Sequence, residues 1–378
     1  MHFFVTLAAL FVVDGHADTP QFLLDTGADL LDRTALDVDL AKARKGALGG
    51  EFFSIWVDPQ LFPPGKAALR AFDLIDSVRA QVEKHPRELM LALTAADVER
   101  AQQAHKLAVL MGVEGGHAIE GDLRLLRDFH RLGARYMTLT WSNTNDIGDS
   151  SGDAGDPKVP HHDGLTPFGR EVVQEMNRLG MLVDISHVAD KTFFDAVAAS
   201  KAPVIASHSS ARALCNHPRN MTDEMLQVVA KNGGVVMVNF FSAFVDEEYR
   251  KQFTALWPEA EKATHEAEAK YAGDAAMRTK ETFRIGKEFA ARIPRPPFKS
   301  LIDQIEHVAK VAGVDHTGIG SDFDGIPSMP EGIDSAADLP KVFAELRKRG
   351  FSQKDCAKIA SGNILRVMRA AEKVARAR

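Results

Sequence analysis

Residues 10–20 read LFVVDGHADTP: five residues with the character of a buried strand, then His16 and Asp18 two positions apart. Whether this is the tail of a secretion leader or the first strand of a folded domain decides how the rest is read. The run FFVTLAALFVV has the length of a leader's apolar core, yet no Lys or Arg precedes it. Its only small-residue pair, Ala8-Ala9, would put the cut just before the most strand-like part. The run is also too short to span a bilayer. The expectation is strand one, over 9–14. The alternative of an exported protein whose start lies upstream of Met1 stays open.

Outward from that stretch, short apolar runs alternate with amphipathic helical patterns, the mark of βαβ units around a parallel sheet. Strands are expected near 9–14, 51–57, 107–114, 135–140, 181–185, 203–207, 234–240 and 317–321. Helices are expected over 67–84, 121–132, 167–179, 189–199, 222–232, 300–312 and 338–349, with two more, 353–360 and 363–376, closing the chain. Thr166 followed by Pro167 reads as an N-cap with Pro at the first helical position, and Ser352 with Asp355 as a capping box. Eight strands with crossovers favour an α/β fold of the (β/α)8 TIM-barrel type over an open doubly wound sheet. All of 1–378 then forms one barrel domain. The charged, helix-prone stretch 246–295 follows strand seven. It reads either as a solvated helical excursion or as a lid, because insertions after a barrel strand emerge on the active-site face.

Composition narrows the partners. With 45% apolar and 26% charged residues and a net charge of −6, the chain has no basic excess for phosphates, so neither nucleic acid nor an anionic membrane is expected. Cys215 and Cys356, the only cysteines, form no CxxC pair, which argues against a thiolate zinc site. One long-range disulfide stays open.

Side chains at i and i+2 of a strand point the same way, so His16 and Asp18 can both aim into the barrel mouth. Alone, an HxD pair is as well explained by a solvated loop. Other strands end alike: LAVLMGVEGG in Glu114, MLVDISH in His187, APVIASH in His208, and HTGIGSDFDG places Asp322 and Asp324 beyond its tip. A carboxylate directly after an apolar run is costly to bury unless paired or metal-bound. Five polar strand ends on one face point to chemistry, since residues kept for stability favour the opposite face. Imidazoles and carboxylates without thiolate suit a pair of divalent ions, Zn²⁺ first, with Mn²⁺ or Co²⁺ as alternatives. Such a site performs hydrolysis.

These residues carry a resemblance. The stretches VVDGHADTP, GVEGGHAIEGD, YMTLTWSN, GLTPFGREVVQEMNRLGMLVDISH, APVIASHSSARALCNHPRNMTD, GGVVMVNF and GIGSDFDGIP resemble, in order, the membrane dipeptidase (renal dipeptidase) family of the amidohydrolase superfamily. The resemblance implies a binuclear zinc barrel in which His16 and Asp18 hold one Zn²⁺, His187 and His208 the other, and Glu114 bridges them. A metal-bridged hydroxide attacks, and Asp322 passes its proton to the leaving amine; Asp324 is assigned a structural role. His117 matches the His that polarises the scissile carbonyl, and Arg219 the Arg that receives the substrate carboxylate. Phe244 falls where the mammalian enzymes have a pocket Tyr, and Ala17 and Gln21 also depart from them.

The function implied is a zinc-dependent dipeptidase for small dipeptides, L-Xaa-D-Xaa included, in a homodimer without a membrane anchor. A cytoplasmic protein is expected, or a periplasmic or secreted one if the start lies upstream. Two other readings stay open: a binuclear amidohydrolase acting on a lactone, cyclic amide or phosphoester, and a non-catalytic barrel.

Overall fold

The computed structural model describes residues 10–32 and 36–377. The leader-like residues before Leu10, with Ala8-Ala9 and the first residue of the expected strand, lie outside the described residues. Among the described residues there are nine parallel strands: β1 (Val12–Ala17), β2 (Leu48–Trp56), β3 (Leu89–Leu91), β4 (Leu107–Glu114), β5 (Ala134–Thr138), β6 (Leu182–Asp184), β7 (Ile205–Ala206), β8 (Val235–Val238) and β9 (Thr317–Ile319). They pair in the order β2-β1-β9-β8-β7-β6-β5-β4-β3, and β2 also pairs with β4, which closes the sheet. The result is an eight-stranded parallel barrel ringed by helices, the (β/α)8 architecture expected from the sequence.

β3 is the unforeseen strand. β2 runs along Ala108–Glu114 of β4, while β3 takes Leu107–Val109 and β5 takes Met111–Glu114. Its three residues are too short a run to show a period. Strand one also lies further along than expected, so that His16 is still on the ladder and Asp18 follows it directly.

Alternation along β4 separates inside from outside. Val109, Met111 and Val113 pack outward against the helices. Ala108 and Leu110 face the barrel axis with Val13, Phe52, Tyr136 and Met237, and Gly112 and Glu114 continue that inner row. Gly112 is needed for its lack of a side chain: a Cβ there would lie 1.9 Å from Cζ of Tyr136, whose ring fills the axis below Glu114.

Three expected helices fall at Ala67–Lys84, Pro167–Leu179 and Asn363–Arg376. The caps at Thr166 and Ser352 form as read. The stretch 246–295 folds into two helices, Glu247–Lys270 and Ala275–Ala290, joined by an apolar seam of Ala260, Ala267, Ile285 and Phe289. Cys215 and Cys356 are free and buried. Among the described residues no helix is long and apolar enough to cross a membrane.

Filling the axis beside Tyr136 should be costly. Gly112→Ala is expected to destabilise the fold by about 1–3 kcal/mol through overpacking, measured by denaturant unfolding; unchanged stability would show that the Tyr136 ring yields freely.

Candidate metal centre

The C-terminal ends of the strands bring His16, Asp18, Glu114, His187, His208 and Asp322 together. Glu114 sits at the centre, and its two oxygens face different partners. Oε1 lies 2.9 Å from Nε2 of His187 and 3.4 Å from Nε2 of His208. Oε2 lies 3.3 Å from Nε2 of His16, which is in turn 3.5 Å from Oδ2 of Asp18. Two groups, His16 with Glu114 and His208, and His16 with Asp18 and Asp322, each gather three ligand atoms within 4.8 Å.

Hydrogen bonds behind the imidazoles fix which nitrogen carries a lone pair. Tyr136 donates its hydroxyl to the Gly15 carbonyl, 3.2 Å, so the 2.7 Å contact between Nδ1 of His16 and Tyr136 Oη has the imidazole as donor. Ser207 donates to Asp184, 2.6 Å, so Nδ1 of His208 donates to Ser207 Oγ, 2.8 Å. Both assignments turn Nε2 toward Glu114. Burial keeps His208 neutral, with its lone pair on that atom. For His16 burial is outweighed by Tyr136, Glu114 and Asp18, which hold it well above its ordinary value, so that a proton or a cation belongs on its Nε2. Nε2 of His187 and Nε2 of His208 then meet at 2.9 Å, which calls for a shared cation or proton. Nε2 of His16 and Oδ1 of Asp18 are buried without a hydrogen bond among the described residues. These orphaned atoms and the donor set fit divalent ions.

Electrostatics agree. Burial pushes His187 down to about 3, with Arg219 adding, and holds His208 well below its ordinary value, so both are neutral, the form in which an imidazole can bind a cation. Burial would raise Glu114, but His16 and the hydrogen bonds of the three imidazoles outweigh it and hold the carboxyl well below its usual range. Burial pushes Asp322 up to about 7, with Asp18 and Glu114 adding and His16 and Asn239 opposing.

The backbone is shaped for this cluster. His187 and Asp322 adopt φ of 67°, and Asp324 of 63°, in the left-handed region that side chains enter rarely and that clusters at functional sites. β1 and β9 continue to be knitted beyond the ladder by Asp322 N donating to His16 O and Asp18 N to Phe323 O. A Cβ on Gly325 would lie 2.0 Å from Oδ2 of Asp18, so a side chain in that turn would push the Asp18 and Asp322 carboxylates aside. Asp324 is tied to Thr19 Oγ1 and the Asp37 amide, both at 2.6 Å, and serves the loop.

The cluster opens into a cavity of about 490 Å³, walled on one side by the two-helix insertion. Arg219 and Phe244 line it together. Rather than a surface residue, Arg219 is buried, its Nε unpartnered among the described residues and its remaining bonds long, 3.2 Å to His208 O and 3.4 Å to Ser209 Oγ. Burial brings the guanidinium down to about 10, still charged at neutral pH. Its Cζ lies 5.4 Å above the Phe244 ring.

His117 is not among the residues lining the cavity: its Nε2 is held by the Val57 carbonyl at 2.8 Å, while its buried Nδ1 has no hydrogen-bond partner among the described residues. The wall beside His187 is Trp141, with ring centroids 6.3 Å apart, and Trp141 packs on Trp56 at 5.0 Å. Sequence reasoning also missed Asn239, which donates to Oδ2 of Asp322 at 2.8 Å, together with Tyr136 and Asp184. Trp56, Trp141 and Asn239 all sit at or just past strand tips, the signal that found the ligands. Gln21 is locked between Trp56 O and Arg70, and Arg70 pairs with Asp25 at 2.6 Å.

Comparison with known proteins points one way. The family model described as membrane dipeptidase (peptidase family M19) matches residues 5–378. Dipeptidase tcpJ of Claviceps purpurea (strain 20.1) is 35% identical over 348 residues, 89% of this chain and 70% of that one. The crystal structure of the probable dipeptidase PvdM from Pseudomonas aeruginosa has 26% identity and a TM-score of 0.82, covering 97% of this chain and 96% of its own. A metallo peptidase from Rhodobacter sphaeroides, liganded with a phosphinate mimic of the dipeptide L-Ala-D-Ala, has 26% identity and a TM-score of 0.77, covering 96% and 99%.

Tyr136→Phe keeps the ring that fills the axis and removes only the hydroxyl behind His16. Metal affinity, read by chelator competition, is expected to fall about 10–100-fold with the far-ultraviolet circular dichroism unchanged; an unaltered affinity would show that His16 needs no such support.

Proposed function

The chain belongs to the membrane dipeptidase family of metallopeptidases, and on that premise we propose that it hydrolyses the peptide bond of small dipeptides, L-Xaa-D-Xaa among them, with two zinc ions. The observation that carries this is the division of Glu114 between two sets of ligands in a cavity whose wall holds a buried, under-bonded Arg219. His16, Asp18 and Oε2 of Glu114 would hold one ion, and His187, His208 and Oε1 the other. Bound there, the metal would supply Lewis acidity toward the scissile carbonyl and make a water nucleophilic near neutral pH.

The chain's own groups do the rest. Arg219 offers its free donors to the substrate carboxylate, where a guanidinium gives bidentate recognition, and Phe244 beneath it keeps that charge pair out of bulk water. Asn239 fixes Oδ2 of Asp322, leaving Oδ1 to take a proton from the attacking water and return it to the departing amine. A carboxyl poised near neutrality suits both halves of that transfer, and a nearby cation favours the ionised form that starts it. Trp56 and Trp141 limit water on one side of the cluster. The helices Glu247–Lys270 and Ala275–Ala290 would act as the cover on the other, within the one barrel domain. An uncharged substrate would leave Arg219 unpaired, which disfavours a simple lactone or cyclic amide.

Chelator treatment is expected to abolish turnover of L-Ala-L-Ala and L-Ala-D-Ala, and Zn²⁺ to restore it; metal-replete protein that cleaves no dipeptide overturns the reading. In steady-state kinetics, Arg219→Ala should raise KM by about 10–100-fold, the worth of a charge-assisted hydrogen bond, with a smaller change in kcat. Asp322→Asn should lower kcat by about 10²–10⁴-fold and leave KM nearly unchanged.

A further inference from the structure

The wall that begins at Arg219 continues as a ladder of rings. Phe244, under the guanidinium, meets Phe241 at 5.0 Å; Phe241 meets Phe253 at 5.3 Å; Phe253 meets Trp257 at 6.1 Å. All four rings line the same cavity as the Glu114 cluster. Phe244 is buried, whereas Trp257, on the Glu247–Lys270 helix, is 51% exposed. The ladder thus runs from the buried carboxylate anchor to the mouth, and its last rung leaves half an indole in water. Such a surface is stabilised when an apolar group covers it.

Chemistry decides which part of a substrate meets it. A carboxylate on Arg219 belongs to the C-terminal residue, and that residue's side chain leaves the adjacent carbon. It is therefore the group placed against Phe244 and along the ladder. The cavity, about 490 Å³, is of the size that encloses drug-sized ligands, so two small residues would leave the ladder wet. Across the cavity Arg70 holds both Gln21 and Asp25 beside Phe22, Phe62 and Phe283, and Thr279 of the second insertion helix donates to Asp25; the Phe244 ladder is the apolar wall that adjoins Arg219.

We infer that the Phe241–Phe244–Phe253–Trp257 wall is a specificity site for a bulky apolar side chain on the C-terminal residue, so that the preferred substrates are dipeptides ending in residues such as Phe, Leu or Met. This rests on the dipeptidase reading and on Arg219 as carboxylate anchor.

The test compares kcat/KM of the zinc-loaded enzyme for Ala-Phe, Phe-Ala and Ala-Ala. Ala-Phe should exceed both others by about 10-fold or more, the discrimination that apolar pockets reach. Trp257→Ala, which removes a half-exposed ring and so tests the wall without threatening the fold, should cut the Ala-Phe to Ala-Ala ratio about 3- to 10-fold. Leu69→Ala, at an exposed position outside the cavity lining, should leave that ratio as it is. Hydrolysis of all three dipeptides at equal efficiency, a preference for Phe-Ala, or a ratio indifferent to Trp257 overturns the inference while the dipeptidase reading stands. Hydrolysis of none overturns both.

Discussion

A carboxylate buried at the end of a parallel strand is the constraint on which this molecule is organised. Glu114 is buried at the tip of β4 with three imidazole nitrogens within 3.4 Å. In a low-dielectric setting an uncompensated charge of this kind costs several kcal/mol or more. His187 and His208, kept neutral by burial, do not repay that cost, and their Nε2 atoms meet at 2.9 Å. Positive charge held among these groups resolves the conflict, and the family to which the chain belongs is one of metallopeptidases. The ligands are therefore arranged against their own electrostatic preference, and the barrel must supply the rigidity that keeps them there.

That rigidity comes from below the site. The inner row of the barrel would ordinarily be filled by branched apolar residues. Here Gly112 gives up its side chain so that Tyr136 can reach His16, while Asp184 collects hydrogen bonds from Thr138, Ser186 and Ser207. These groups set the tautomers of His16 and His208. Strain is accepted next to them: His187 and Asp322, at φ of 67°, are positions where a non-glycine residue is disfavoured, and backbone bonds hold both, Asp322 N donating to His16 O and Ser151 N to His187 O. The geometry of the cluster is thus over-determined, which is what lets three strands of only two or three residues contribute to it.

Much of this was legible in the sequence because it follows from period. Strands alternating with amphipathic helices predict the barrel, and His16, Glu114, His187, His208 and Asp322 announce themselves as polar residues ending apolar runs. Elements too short for a period did not: β3, and the helices Thr19–Thr26, Leu40–Lys45 and Ala95–Gln103. The last carried a readable sign, since Thr94 caps it by accepting from the Asp97 amide. Side-chain direction in loops was not legible either. His117, three residues beyond Glu114, is turned to the Val57 carbonyl, and Arg219, which as sequence looks like a surface residue, is drawn inside by packing between segments far apart in the chain. The residues that the resemblance named at strand tips do come together, because their geometry is fixed by the sheet. The direction of His117 is decided by a short turn after the strand.

The same division separates reaction from selectivity. Strand tips and the rows beneath them determine which charges meet at the cluster, and changing any of them disturbs a network of buried polar groups in which one lost partner strands another. The cavity walls draw on other elements: the segment after β8 with Phe241 and Phe244, and the two-helix insertion with Phe253, Trp257 and Phe283. The insertion packs through its own apolar seam and touches the barrel through contacts such as Phe22 against Phe283, 5.0 Å between centroids. Substitutions along its inner face can therefore alter the shape and polarity of the cavity at little cost to the ligand cluster. A fold built in this way holds its hydrolytic centre constant while the range of side chains it admits is free to vary.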